Sequence, residues 1–239
     1  MTADIVVPDL PSRPEGGNRN AFRIDERVYQ AYYAASNFSG LTSQTLITGI
    51  QFRIYPGTGG SSTTWPSQDL SFLSYFIQLS TASTELIAGG NFFTAFGSTA
   101  AFTDGQGDKI TTVYNDALTI TANTFTDLGG GVNPWDITID FTTPYVMEVG
   151  ETLVMTIRHS GYLPNDEEEV FFDTADYTDG IADAIVNTED SDALNANTSS
   201  YPLIVNFIGI SIPEPSTYAT LLGGFAIVMA GLRRRRQVR

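Results

Sequence analysis

Trp135-Asp136-Ile137-Thr138-Ile139-Asp140-Phe141 decides the fold class. Its apolar and polar residues alternate, so Trp135, Ile137, Ile139 and Phe141 are expected on one face and Asp136, Thr138 and Asp140 on the other. A helix would scatter these apolar side chains around its axis, whereas a strand with one covered face collects them. The pattern recurs along the chain. Ile50, Phe52 and Ile54 alternate with Gln51, Arg53 and Tyr55, and Leu73, Tyr75, Ile77 and Leu79 point one way, as do Leu153, Met155 and Ile157. Leu203, Val205 and Phe207 oppose Ile204, Asn206 and Ile208, which suits a strand covered on both sides. Shorter candidates are Ile110 to Tyr114, Ala117 to Ala122, Tyr145 to Val149 and Val170 to Phe172.

Glycine-rich turns separate these runs, at Pro56 to Gly60, Gly89-Gly90, Asp104 to Gly107, Gly129 to Gly131 and Gly150. No helical periodicity precedes Pro213, and no internal repeat suggests a solenoid or propeller. Many short strands with polar outer faces predict an all-β body, an antiparallel β-sandwich with jelly-roll-like connections over residues 20–211. An extended segment, residues 1–19, precedes it.

Composition removes whole classes of function. The 239 residues hold 27 acids against 12 bases, one histidine and no cysteine. Thiolate metal sites, disulfides and cysteine nucleophiles are impossible, and so is any site needing two imidazoles. A formal charge of −15 argues against a nucleic-acid partner, because phosphate affinity needs Lys and Arg. The charge is unevenly placed. Every acid but Glu214 precedes Pro213, while Arg233, Arg234, Arg235, Arg236 and Arg239 all follow it. An acidic body therefore carries a short basic tail.

That tail reads PEPSTYATLLGGFAIVMAGLRRRRQVR from Pro213. Thr217 to Leu232 is uncharged and mostly apolar; as a helix it would be about 24 Å long against a hydrocarbon core of about 30 Å. A single C-terminal transmembrane helix over 217–232 is the expectation, its reach extended by snorkelling arginines. The Arg233–Arg236 cluster would stay cytoplasmic, which puts the body on the far side of the membrane. Pro213 and Pro215 cannot lie within a helix and mark an exposed, extended approach to it.

Pro213-Glu214-Pro215, then an apolar segment, then Arg233 to Arg236, resembles a PEP-CTERM sorting signal, a likeness confined to residues 213–239. The resemblance implies recognition by an exosortase, a membrane enzyme expected to cleave near the Pro-Glu-Pro. The membrane would hold the precursor by its tail, and the mature protein would reach the cell surface or the exopolysaccharide matrix of a Gram-negative bacterium. Asn20 to Phe38, ITGIQFRIY, Trp65 to Ser83 and NPWDITIDFTTPY resemble the ectodomain of one uncharacterised PEP-CTERM group, which implies a single sandwich and no activity. Such substrates normally enter the secretory route through a basic and apolar leader; Ile5 to Val7 is the longest apolar run at this N-terminus, so a leader is expected upstream of Met1.

Candidate chemistry concentrates in the acidic stretch after Asn165. Asp173, Asp176, Asp179 and Asp183 are candidate calcium ligands, since calcium takes 6 to 8 oxygens and flexible acidic loops supply them. Their spacing matches neither an EF-hand nor a glycine-rich nonapeptide repeat. His159 ends a strand without a Gly-x-Ser-x-Gly elbow in the chain, so a surface histidine is expected there rather than a hydrolase base. Tyr29, Tyr32, Tyr33, Trp65 and Trp135 could stack on sugars or fill the core. The expected role is non-enzymatic, structural or adhesive, in or on extracellular polysaccharide; the alternative is a calcium-dependent carbohydrate-binding module.

Overall fold

The computed structural model describes residues 2–8, 16–56, 63–97, 100–164, 169–175, 182–187, 190–196 and 198–212. Its strands are β1 (Thr2–Val7), β2 (Gly16–Asn18), β3 (Arg27–Tyr33), β4 (Thr45–Phe52) and β5 (Thr63–Trp65). Then come β6 (Leu70–Ala82), β7 (Gln106–Ile120), β8 (Phe125–Asp127), β9 (Ile137–Met147) and β10 (Leu153–His159). The last are β11 (Tyr162–Leu163), β12 (Phe172–Thr174), β13 (Ala182–Asn187), β14 (Thr198–Ser200) and β15 (Val205–Ser211). Between β6 and β7 lie two short helices, α1 (Thr84–Gly89) and α2 (Phe92–Phe96).

Two antiparallel sheets face each other. The front sheet has the order β1-β15-β4-β9. In the back sheet β3 lies between β10 and β13, with β14 beyond β13; β6 pairs with β10 and β11 along one side and with β7 along the other. Front order β1-β15-β4-β9 and back order β3-β10-β6-β7 are the two interlocked four-strand sheets of a jelly roll. The β13–β14 hairpin widens the back sheet past β3. Two small sheets, β12 with β2 and β5 with β8, complete the body. β1 pairs with β15 from Thr2↔Ile210 to Val7↔Val205, so the sandwich takes in strands from the first nineteen residues as well.

Each sheet sends alternate residues inward, as the sequence pattern requires. Ile50, Phe52 and Ile54, Ile137 and Ile139, Val205 and Phe207 meet Tyr29, Tyr75, Ile77, Leu79, Met155 and Ile157 in one continuous core. Phe22, from the turn before β3, is fully buried among five rings: Phe172 at 4.8 Å, Phe52 at 5.0 Å, Tyr75 at 5.7 Å, and Phe72 and Phe125 at 6.1 Å between centroids. Two of the buried phenols reach backbone carbonyls, Tyr33 that of Leu203 at 2.8 Å and Tyr75 that of Ala21 at 3.0 Å, which offsets the cost of burying those hydroxyls.

Three sequence expectations are corrected. Leu73 is 73% exposed instead of facing inward with Tyr75, because the β6–β7 register shifts between Phe72 and Tyr75 and reverses the alternation. Helices do occur before Pro213. α1 and α2 are each a single turn or little more, started by a side-chain cap, Ser83 accepting from the Leu86 amide and Asn91 from the Thr94 amide, and a 3-10 turn over Ala35–Phe38 has no such cap; none is long enough to show periodicity. The combined picture of a sandwich followed by a transmembrane helix is also corrected, to a body of antiparallel sheets. Among the described residues no helix is long and apolar enough to cross a membrane. The longest has 6 residues, about 9 Å of helix against a hydrocarbon core of about 30 Å. The expected span, 217–232, lies outside the described residues, as do Pro213, Glu214, Pro215 and Arg233 to Arg236.

Truncating Phe22 removes the ring around which the other five pack. Phe22→Ala should destabilise the body by about 3–5 kcal/mol, read as a lower urea midpoint at unchanged slope. A loss below about 1 kcal/mol would mean that the neighbouring rings collapse into the gap.

Candidate functional site

The acidic candidates are placed apart and put to different uses. Asp173 sits in β12 with no exposed surface, and Arg53 Nε donates to its Oδ2 in a tight ion pair. The guanidinium stacks on the Trp135 ring at 4.5 Å from ring centroid to Cζ. Asp173 Oδ1 has no hydrogen-bond partner among the described residues. Burial raises the Asp173 carboxyl to about 7, against the opposing pull of Arg53. Asp183 lies in β13 of the back sheet, where its Oδ2 accepts the Phe92 amide at 2.7 Å at the start of α2. Burial raises its pKa too, opposed by backbone donors. Both carboxylates thus answer protein donors. Asp176 and Asp179 lie outside the described residues. Among the described residues, no group of three or more His, Asp or Glu side chains could hold a metal ion.

His159 is buried, not at the surface. It ends β10 with 1% exposure, stacked on Tyr75 at 5.8 Å. Nδ1 accepts the Gly161 amide at 3.1 Å, which leaves the proton on Nε2 to donate to the Asn20 carbonyl at 3.0 Å. Burial pushes its pKa down to about 3, with the nearby Arg27 guanidinium adding to the shift. Gly161 makes this turn possible. Its φ is 73°, and a Cβ there would sit 2.1 Å from the Ile24 carbonyl oxygen. The imidazole is a neutral core residue with both nitrogens in use. Tyr29, Tyr32, Tyr33 and Trp65 are buried as well, so of the five aromatics singled out only Trp135 remains half-buried.

The outward faces of the two sheets differ. Behind the back sheet a second apolar cluster gathers Val28, Tyr32, Val154 and Ile185 under Leu86, Phe92, Phe102 and Ala196. That cluster includes no residue of the front sheet, whose outward face carries a polar row beside the apolar Ile208 and Ile210. There Asn206 Nδ2 donates to Gln51 Oε1 at 2.7 Å, and Gln51 Nε2 donates to Thr138 Oγ1 at 2.9 Å. The residues are register partners on β15, β4 and β9. Just past the end of β4 comes Arg53 with Trp135, and two residues further Tyr55. In the other direction Gly49 faces Asp140.

Trp135 does not share the inward face of Ile137. It precedes β9, where the chain is held by the Asp136 amide on the Phe52 carbonyl at 3.3 Å and by Asp136 Oδ2 accepting from the Thr126 amide at 2.7 Å. The ring then reaches the outward Arg53. At the Tyr55 end the strip opens into a cleft of about 460 Å³ lined by Arg19, Tyr55, Trp65, Asp127, Glu169 and Phe171. Glu169 is held in it by Arg19 at 2.9 Å and Arg23 at 3.3 Å. Nothing in the sequence alone marked this strip as a unit, although the alternation of Gln51, Arg53 and Tyr55 with the core residues was its signal.

Two buried groups give the body opposite pH responses. Between pH 6.5 and 3 the unfolded chain protonates His159 while the fold does not, so stability falls as the solution is acidified. From pH 6.5 to 4.5 that loss is about 2–3 kcal/mol, and His159→Gln should remove it from the thermal-melting profile. Asp173 works the other way. Between pH 3.8 and about 7 the fold holds a proton that the unfolded chain has lost, so stability falls as pH rises. Asp173→Asn should flatten that limb, seen as a melting difference that moves in favour of Asn from pH 4 to 7. No protein-family model and no curated protein matches this chain.

Proposed function

We propose that this chain is an exported protein of the cell surface or exopolysaccharide matrix, sorted through its C-terminal PEP-CTERM signal and processed there by an exosortase, with a structural or adhesive, non-enzymatic role. The observation that carries the reading is the order of the last 27 residues, Pro213-Glu214-Pro215, an uncharged apolar segment and Arg233 to Arg236, directly behind the last strand of a β-sheet body. β15 lies inside the front sheet between β1 and β4, and its ladder ends with the Ile212 amide on the Gln44 carbonyl at 2.8 Å. Pro213 and Pro215 lack the amide that would continue it. A cut near them would leave every described strand whole. The acidic body suits an aqueous exterior, because like charge keeps such domains apart and soluble.

Glu214 is the acid of the signal and, in this reading, is recognised by the processing enzyme. In a host that carries an exosortase, Glu214→Ala should leave the intact tail on the protein by mass spectrometry, while the unaltered chain loses it; equal processing of both overturns the reading. A chain ending at Ile212 should melt within about 2 °C of the full-length protein, less than about 1 kcal/mol for a body of this size.

A further inference from the structure

The outward strip of the front sheet carries polar and aromatic side chains in a fixed arrangement. Its middle is fixed from beneath. Arg53 is pinned by the fully buried Asp173 and covered by Trp135, so both planar groups are held in place before any ligand arrives. The Asn206–Gln51–Thr138 row is locked in register by hydrogen bonds of 2.7 and 2.9 Å.

What this lattice leaves over is unusual in kind. Among the described residues the Trp135 indole N–H, the Tyr55 hydroxyl and the proton of the Thr138 hydroxyl have no hydrogen-bond partner, and neither do the Asp140 carboxylate and Asn206 Oδ1. Asn206 is 2% exposed, so its orphan acceptor lies within the sheet surface and not in bulk solvent. From Gln51 to Tyr55, about 13 Å at strand rise, these groups lie beside two half-buried rings, with Asp140 further back opposite Gly49 and a cleft at the Tyr55 end.

Charge decides the class of ligand. Among the described residues of the strip Arg53 is the cation, its Nε engaged by the buried Asp173, and the acids Asp136 and Asp140 lie beside it. A polyanion is repelled. A hydroxyl-rich, uncharged chain supplies both donors and acceptors, and its apolar ring faces suit Trp135 and Tyr55. We propose that the outward strip of β4, from Asp140 opposite Gly49 through Gln51 and Trp135 to Tyr55, binds an extended, uncharged polysaccharide without calcium. This rests on the matrix reading above and names the ligand that would hold the protein there.

The full-length protein is run in native gels containing dextran, laminarin, galactomannan or hydroxyethyl cellulose, with alginate as the polyanion and EDTA throughout. At least one neutral polymer should retard it and alginate should not. Tyr55→Ala and Thr138→Ala, both at positions outside the core, should each weaken the retardation, and Trp135→Ala should weaken it about tenfold or more in Kd. Melting curves confirm that each variant is folded, and Thr138→Ser should restore binding. Retardation by none of the four neutral polymers, by alginate alone, or to the same extent in Tyr55→Ala and Thr138→Ala overturns the proposal. Glu214→Ala, which leaves the strip intact, should bind as the unaltered chain does. Normal processing with no binding would thus remove the strip alone, and binding with no processing would remove the sorting reading alone.

Discussion

Phe22 is the contact on which the rest of the body depends. It belongs to no strand, yet its ring touches Phe52 of the front sheet, Phe72 and Tyr75 of the back sheet, Phe125 of β8 and Phe172 of β12. Placing it in the core drags the turn 19–26 inward. The Ala21 carbonyl then takes the Tyr75 hydroxyl, the Asn20 carbonyl takes His159 Nε2, and Asn20 Oδ1 takes Arg27 at 2.8 Å. A buried histidine and a buried arginine are costly unless their polar atoms are met. Here one aromatic anchor delivers the backbone that meets them, and it sets where β3 begins.

The same economy shapes the front sheet's edge of order. β4 and β15 part beyond Phe52, and β12 fills the gap, with Ile54 bridged to Phe172 and Thr174 to Leu203. Phe172 feeds the Phe22 cluster; the next residue, Asp173, must then face away from it, by the two-residue period of a strand. A carboxylate in that position is buried by its neighbours, and Arg53, on the outward side of β4 by the same rule, is the cation within reach. An ion pair of this kind adds little net stability, because desolvation offsets most of the attraction. Its effect is geometric: it fixes a guanidinium and, through it, Trp135.

How much of this could be read from the sequence follows from how many faces each strand covers. β4 and β9 alternate or nearly so, and their inward residues were legible from Ile50 and Ile137 onward. β3 was not, because Arg27–Tyr33 is buried throughout, one face in the main core and the other under the α1–α2 segment. A strand covered twice loses its period. Leu73 misled because a register shift is not encoded in polarity. Asp173 and Asp183 looked alike as members of an acidic stretch, yet one meets a guanidinium and the other a helix's first amides. Those partners lie 120 and 91 residues away, beyond any local pattern.

The two outward faces then divide the work of the body. The back sheet is sealed by α1, α2 and the 100–105 and 193–196 segments, which bury Leu86, Phe92 and Phe102 and so cost that surface its access to ligands. The front sheet is left rigid, because its inner face is anchored in the aromatic core while its outer face carries Asn206, Gln51 and Thr138 in fixed register. Such a face holds side chains more exactly placed than a loop could. β15, at the centre of that sheet, is also the strand from which the chain leaves toward Pro213. β15 is hydrogen-bonded on both sides, to β1 and to β4, so the chain leaves the body from a strand held within the sheet and not from its edge.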